Sequence, residues 1–151
     1  MGYLDKQLRK EILGKSDAQF LEGLGYGIGR IFPSLDEESQ QLFLSQIGQS
    51  EGYSRGLWKG LGESFEFLDF VLQKEIIAWG RKHFEYTKEL GHGIGLRFPS
   101  FGTELQRYVL ELEQESNFST GLDEGLSVCL PYLSKDIQGL VLKWKEHHAG
   151  P

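Results

Sequence analysis

The sequence predicts an all-α protein of four helical hairpins in two tandem copies, with a capping helix at the N-terminus. Three observations predict this: a segment that occurs twice, apolar residues that recur every three or four positions, and polar residues typical of helix starts. Segment 24–34 returns as segment 90–100 with eight of eleven residues identical. Self-similarity at a fixed period is the signature of repeat architectures, so it organises the fold before any other inference.

The similarity between the two copies extends beyond this segment. After one lost residue it continues at an offset of 65 residues, and each copy divides again into two units of about 33 residues. We therefore expect one domain over 1–151, with the capping helix at 1–15, copy 1 at 16–83 and copy 2 at 84–151. The pairs matched at the second offset are Ser54 and Ser119, Gly56 and Gly121, Leu57 and Leu122, Gly60 and Gly125, Leu61 and Leu126, Leu68 and Leu133, and Trp79 and Trp144.

The second helix of each unit is predicted from its apolar periodicity, at 36–48, 69–82, 102–115 and 135–148. Ser34 with Glu37 forms a capping-box pattern, and Asp69 and Ser134 occupy N-cap positions. Gly52 and Asn117 are expected to lie just beyond helix ends, because both residue types tolerate the left-handed conformation.

The first helices contain glycines alternating with apolar residues, a pattern that also fits a strand. The related segments favour helices, since Leu57, Leu61 and Phe65 recur every four residues. Each glycine then costs about 1 kcal/mol relative to alanine, which requires a compensating contact. Gly23 and Gly27 lie on one face of the helix, and Gly25 and Gly29 on nearly the opposite face. This arrangement predicts a helix with close neighbours on both sides.

The N-terminal residues 3–13 have no counterpart in copy 2. Leu4, Leu8 and Ile12 follow helical spacing, which predicts an amphipathic helix. Repeat arrays expose an apolar flank at each end, so an atypical terminal helix is expected to act as a lid.

Composition bounds the class of protein. The formal net charge is −6 and no long run of Lys or Arg occurs, so nucleic-acid binding is disfavoured. The chain contains no apolar stretch of membrane-spanning length, and its start lacks an apolar signal core, so we expect a soluble, cytoplasmic protein without a membrane partner. Cys129 is the single cysteine and has apolar neighbours, which indicates a buried, inert thiol.

Over residues 16–148, the period and helix pairing resemble those of the α-helical hairpin repeat proteins, the tetratricopeptide-like and HEAT-like solenoids. The tetratricopeptide signature Trp-x-x-Leu-Gly-x-x-Tyr does not occur. The resemblance therefore rests on architecture, and what it implies is a surface that holds peptides or proteins.

Candidate catalytic and cofactor motifs are incomplete. The glycine-rich segments lack the third glycine of the dinucleotide fingerprint, since Ile28 or Arg30 stands at its position. His83, His147 and His148 would provide three imidazoles if the copies faced each other, but placement near helix C-termini accounts for them without a metal. We therefore expect no cofactor, no metal site and no catalytic residue.

Positions that differ within the shared frame are the candidates for binding. Tyr26, Arg30, His92 and Arg97 are predicted to line a groove, if one exists. The favoured hypothesis is a non-catalytic scaffold or adaptor that binds a protein or peptide.

Two further hypotheses remain open. The alternative to the scaffold is a small-ligand-binding or enzymatic helical bundle with a pocket between the copies. The chain would also form a homo-oligomer if its C-terminal hairpin paired around Leu142 and Trp144.

Overall fold

The computed structural model describes residues 18–45, 50–82, 86–112 and 116–148, and every regular element in these ranges is helical, which confirms the all-α prediction. The predicted capping helix at 1–15 lies outside the described residues. The described α-helices are α1 (Ala18–Ile31), α2 (Glu37–Ser45), α3 (Glu51–Glu63), α4 (Phe70–Lys82), α5 (Thr87–Arg97), α6 (Thr103–Glu111), α7 (Ser116–Cys129) and α8 (Lys135–His148).

A single turn of 3-10 helix separates each odd-numbered helix from the even-numbered helix that follows it. These turns span Phe32–Ser34, Phe65–Phe67, Phe98–Ser100 and Leu130–Tyr132. Three of them carry a proline in their first turn, where the missing N–H would have no helical partner. We call α1, α3, α5 and α7 the first helices, and α2, α4, α6 and α8 the second helices.

A glutamine in each second helix makes the same hydrogen bond back to the 3-10 turn. The Nε2 atom donates to the backbone carbonyl eight residues earlier, over distances between 2.9 and 3.1 Å. These glutamines were not predicted from the sequence, although their spacing of 33, 33 and 32 residues is visible in the chain. They are Gln40, Gln73, Gln106 and Gln138.

Three N-caps were predicted for the second helices, of which one is wrong and two are confirmed. The Ser34 hydroxyl donates to the carbonyl of Ile31 and caps nothing; instead Asp36 accepts from the Ser39 N–H at 2.7 Å. The side chains of Asp69 and Ser134 accept from backbone N–H groups as predicted. The cap therefore lies two residues later than expected in the first unit, because the 3-10 turn delays the start of α2.

The predicted helix ends at Gly52 and Asn117 are wrong. Both residues lie in the first turn of a helix, α3 and α7 respectively. In α3 the start is set by Ser50, whose hydroxyl accepts from the N–H of Tyr53.

Glycines bring the first helices into backbone contact. A Cβ atom added to Gly29 of α1 would lie 2.6 Å from the carbonyl oxygen of Leu57 in α3, and one added to Gly95 of α5 would lie 2.8 Å from that of Leu122 in α7. Real Cβ atoms essentially never approach that closely, so only glycine fits. The prediction that the glycine-rich segments are helices is confirmed.

The prediction of close neighbours on both sides is confirmed for α5, whereas the described residues provide α1 with a close neighbour on one side. In α5, Gly91 and Gly95 face α7 while Gly93 faces α3. In α1, no atom of the described residues lies within 4 Å of a Cβ added to Gly23 or Gly27. Among the described helices, α5 lies between two first helices and α1 lies beside one.

The core lies between the layer of first helices and the layer of second helices. Most of the largest buried side chains come from the first helices and the 3-10 turns, and two, Leu44 and Ile76, come from the second helices. The largest fully buried side chains are Trp58, Phe32, Phe65, Phe98, Leu44, Leu57, Leu61, Ile76, Leu90, Ile94, Leu122 and Leu126.

Candidate functional site

The predicted binding residues lie on the face of the first helices that points away from the second helices. Lys59 of α3 marks this face. It lies two positions from both Leu57 and Leu61, which are fully buried, and a separation of two residues corresponds to about 200° around the helix axis. Tyr26 and His92 occupy the positions equivalent to Lys59 in α1 and α5. This face is therefore the outer face of the first layer.

Three of the four predicted residues meet around one carboxylate, that of Glu63. Arg97 Nη2 lies 3.3 Å from Glu63 Oε1, and Arg30 Nη1 lies 3.9 Å from the same oxygen. Arg30 Nη1 also donates to the hydroxyl of Tyr26 at 3.1 Å. We call Tyr26, Arg30, Glu63 and Arg97 the charged cluster. It joins α1, α3 and α5, although these residues are up to 71 positions apart in the sequence.

Burial makes Glu63 the fixed centre of the cluster. Its side chain is only 6 % exposed, whereas those of Arg30 and Arg97 are 42 % and 43 % exposed. Burial and the neighbouring Glu63 raise the pKa of the Tyr26 phenol, and the hydrogen bond to Tyr26 raises the pKa of Arg30. At neutral pH the cluster therefore presents two guanidinium groups, positioned by Glu63 and partly open to solvent, beside a neutral phenol.

His92 does not join this cluster. It is half-buried on α5, and none of the cluster's hydrogen bonds or ion pairs reaches its side chain. In copy 2 the positions equivalent to Arg30 and Glu63 are Leu96 and Val128, so the charges are replaced by apolar side chains. The charged cluster is thus a feature of the first three units and is not built twice.

An exposed apolar patch that was not predicted from the sequence begins four residues after the end of α3. Phe67, Phe70 and Val71 are 71 %, 53 % and 67 % exposed, and we call them the apolar patch. The Phe70 ring packs edge-on against Tyr108 at 5.5 Å, and the ammonium group of Lys74 lies 4.4 Å from the Phe70 ring centroid. Since an aromatic side chain covers roughly 150–250 Å², these fractions leave on the order of 300 Å² of apolar surface.

The patch stands out against the equivalent positions of the other units. At two of its three positions, the other units carry only polar or charged residues; at the third, two units carry serine and one carries tyrosine. The equivalents of Phe67 are Ser34, Ser100 and Tyr132; those of Phe70 are Glu37, Thr103 and Lys135; those of Val71 are Glu38, Glu104 and Asp136. This comparison is the signal by which the sequence could have revealed the patch.

A serine connects the charged cluster to the apolar patch. Ser100 Oγ lies 2.7 Å from both the carbonyl oxygen of Arg97 and Oε1 of Glu66. Glu66 is the immediate neighbour of Phe67 in the chain. Ser100 thus links the C-terminal end of α5, which carries Arg97, to the residue that precedes Phe67 in the chain.

Other candidate groups make structural contacts. The Cys129 thiol donates to the carbonyl oxygen of Gly95 at 3.2 Å, and burial raises its pKa. Within the described ranges, no group of three or more metal-binding side chains is close enough to hold an ion. His83 lies outside the described ranges.

The homo-oligomer hypothesis concerns Leu142 and Trp144 of α8. Trp144 is buried and Leu142 is half-exposed.

The helices of the described part are too short or too polar to span a membrane. Comparison with models of known protein families, with curated proteins and with solved structures returns no match.

Proposed function

We propose that the chain is a non-catalytic helical-repeat protein that recognises another protein through the apolar patch and the charged cluster. The observation that carries this proposal is the patch, where Phe67, Phe70 and Val71 lie within five residues of the chain and are each more than half exposed. Exposed apolar patches of several hundred Å² mark interaction surfaces, because water-exposed aromatic area is costly unless a partner covers it.

The charged cluster supplies orientation beside this patch. Arg30 and Arg97 retain N–H donors that point to solvent, because each contacts Glu63 through part of its guanidinium group. Aromatic and arginine side chains are the residue types most enriched at the energetic centres of interfaces. A partner with an apolar side chain and a nearby carboxylate or carbonyl group would complement the combined surface.

The test exchanges the patch for residues that this chain already uses at equivalent positions. The triple variant Phe67→Ser, Phe70→Thr, Val71→Glu gives the third unit's residues at 67 and 70 and the glutamate shared by the first and third units at 71. The matched control is Tyr132→Ser with Leu142→Gln, which removes two exposed apolar side chains elsewhere. Thermal melting of both variants shows whether each one folds.

Wild-type, patch variant and control are each used for affinity capture from the native host, with quantitative mass spectrometry. We expect proteins that the wild type and the control retain and that the patch variant loses by tenfold or more. An identical set of captured proteins for all three chains contradicts the proposal.

A further inference from the structure

A groove between two second helices forms a further candidate site, away from the apolar patch. It has a volume of about 220 Å³ and lies between α6 and α8. Leu110 of α6 and Leu140 and Trp144 of α8 form its apolar floor. Sites that enclose whole small molecules are typically about 300–1,000 Å³, so this groove suits one bulky side chain. We call it the α6–α8 groove.

Cations without carboxylate partners line the rim of this groove. Arg107 and Lys143 are exposed at its two sides and form no ion pair within the described part of the chain. In contrast, Arg30, Arg55 and Arg97 of the first helices each contact a carboxylate. Since no carboxylate of the described residues pairs with Arg107 or Lys143, both cations are available to an anion at the groove rim.

The net charge of the groove differs in sign from that of the chain. Arg107 and Lys143 together carry two positive charges, and Glu111 is the single carboxylate of the lining, whereas the whole chain carries −6. His147 adds a further nitrogen donor or acceptor at the same rim. A local positive potential on an acidic protein favours an acidic ligand over other peptides and orients it as it approaches.

The equivalent positions of copy 1 lack these cations. Leu44 and Trp79 match Leu110 and Trp144 of the floor, but Gln41 and Ala78 stand where copy 2 has Arg107 and Lys143. Two of the three floor positions are therefore apolar in both copies, whereas Glu75 stands in copy 1 where copy 2 has Leu140, and the cations at 107 and 143 occur only in copy 2. Packing of the core alone would not require the two cations, Arg107 and Lys143, at these exposed positions.

We propose that the α6–α8 groove is a docking site for an acidic peptide segment that inserts one bulky apolar side chain. The anchor side chain contacts Leu110, Leu140 and Trp144, and flanking carboxylates pair with Arg107 and Lys143. An apolar anchor in a pocket provides most of the affinity at such sites, and the charged rim selects the flanking sequence.

Fluorescence anisotropy with labelled nine-residue peptides tests this proposal on the full chain. The probe has a central phenylalanine flanked on both sides by aspartate and glutamate. Control peptides replace the phenylalanine with alanine or the acidic residues with lysine. We expect saturable binding of the probe, at least tenfold weaker binding of either control, and weaker binding of the probe as salt concentration rises.

The variant Arg107→Gln with Lys143→Ala gives the rim the residues of copy 1, and both positions are exposed, so we expect the fold to persist. It should weaken probe binding by tenfold or more. The charge-matched control Lys82→Gln with Lys135→Ala, at two exposed positions outside the groove, should leave it within twofold. Absence of saturable probe binding, equal binding of the lysine-flanked peptide, or equal affinity of the rim variant and the wild type would overturn the proposal. Failure of the apolar-patch test leaves these results unaffected, because the two surfaces share no residue.

Discussion

The α1/α3 pair and the α5/α7 pair have the same backbone contact and different outer surfaces. In the first pair, glycines of α1 face backbone atoms of α3; in the second, the matching glycines of α5 face the matching atoms of α7. On the outer face, however, Arg30 and Glu63 form an ion pair where copy 2 has Leu96 and Val128. Contacts that admit no side chain constrain the sequence strongly, whereas the outer face is free to diverge.

The largest expected effect comes from filling the shared contact. A Cβ at Gly60 would lie 2.9 Å from the Arg30 nitrogen and the Gly29 Cα, so Gly60→Ala must push two helix backbones apart. We expect a loss of about 3 kcal/mol in the free energy of unfolding, measured by urea denaturation. Gly125→Ala, at the equivalent position of the second pair, should show a similar loss, since its Cβ would meet Gly95 Cα at 2.8 Å.

Gly27→Ala is the control for these two substitutions. No atom of the described residues lies within 4 Å of the added Cβ, so the helix should gain stability, by up to about 1 kcal/mol. Equal losses at Gly27 and Gly60 would show that the close backbone contact is not what makes Gly60 necessary.

The next effect concerns Tyr53 of α3, which corresponds to Phe118 of α7. Its hydroxyl is buried without a hydrogen-bond partner among the described residues, and burial raises its pKa to about 12. The folded state thus retains a proton that the unfolded state loses near pH 10. The contribution of Tyr53 to the free energy of unfolding is therefore fully present below pH 10. It is lost as the pH rises through 12, which lowers the free energy of unfolding by roughly 2 kcal/mol.

Tyr53→Phe makes α3 like α7 at this position and should remove that part of the alkaline sensitivity. We expect unchanged or slightly higher stability at pH 7, because no hydrogen bond is lost. Urea denaturation of the wild type and the variant, at pH 7 and again between pH 10 and pH 12, measures how much of the alkaline loss of stability is due to Tyr53. A substantial loss at pH 7 would mean that the hydroxyl has a partner.

The sequence predicted the helices, the glycine contacts of α5 and those of one face of α1, because these depend on local spacing. Leu57, Leu61 and Phe65 reveal a helical face, and Gly25 and Gly29 reveal a seam, without knowledge of any partner. Glu63 was not predicted, since its role requires three helices to converge.

The apolar patch was missed for a different reason. Aromatic and β-branched residues such as Phe70 and Val71 are ordinarily assigned to the core. Their exposure becomes visible only when they are compared with Glu37 and Glu38, which occupy the same positions in the first unit.

The third effect tests the difference in surface directly. Glu63→Val gives α3 the residue of α7 and removes the carboxylate that Arg30 and Arg97 contact. The two arginines are partly exposed and regain water, so we expect a loss of only about 1 kcal/mol. The loss should decrease as salt screens the wild-type pairs, when urea denaturation is repeated at increasing ionic strength. Val128→Thr, which alters no charge, should show no such dependence on salt.

The smallest effect tests how closely the two pairs correspond at their ends. Ser64 donates to the carbonyl of Gly29 at 2.7 Å, and Cys129 donates to the carbonyl of Gly95, the equivalent residue, at 3.2 Å. Cys129→Ser should therefore keep the hydrogen bond and change the free energy of unfolding by less than about 0.5 kcal/mol, whereas Cys129→Ala should lose about 1 kcal/mol. Urea denaturation measures both. Equal losses for serine and alanine would show that the thiol acts through its volume, and that the two pairs differ at this position in kind as well as in residue.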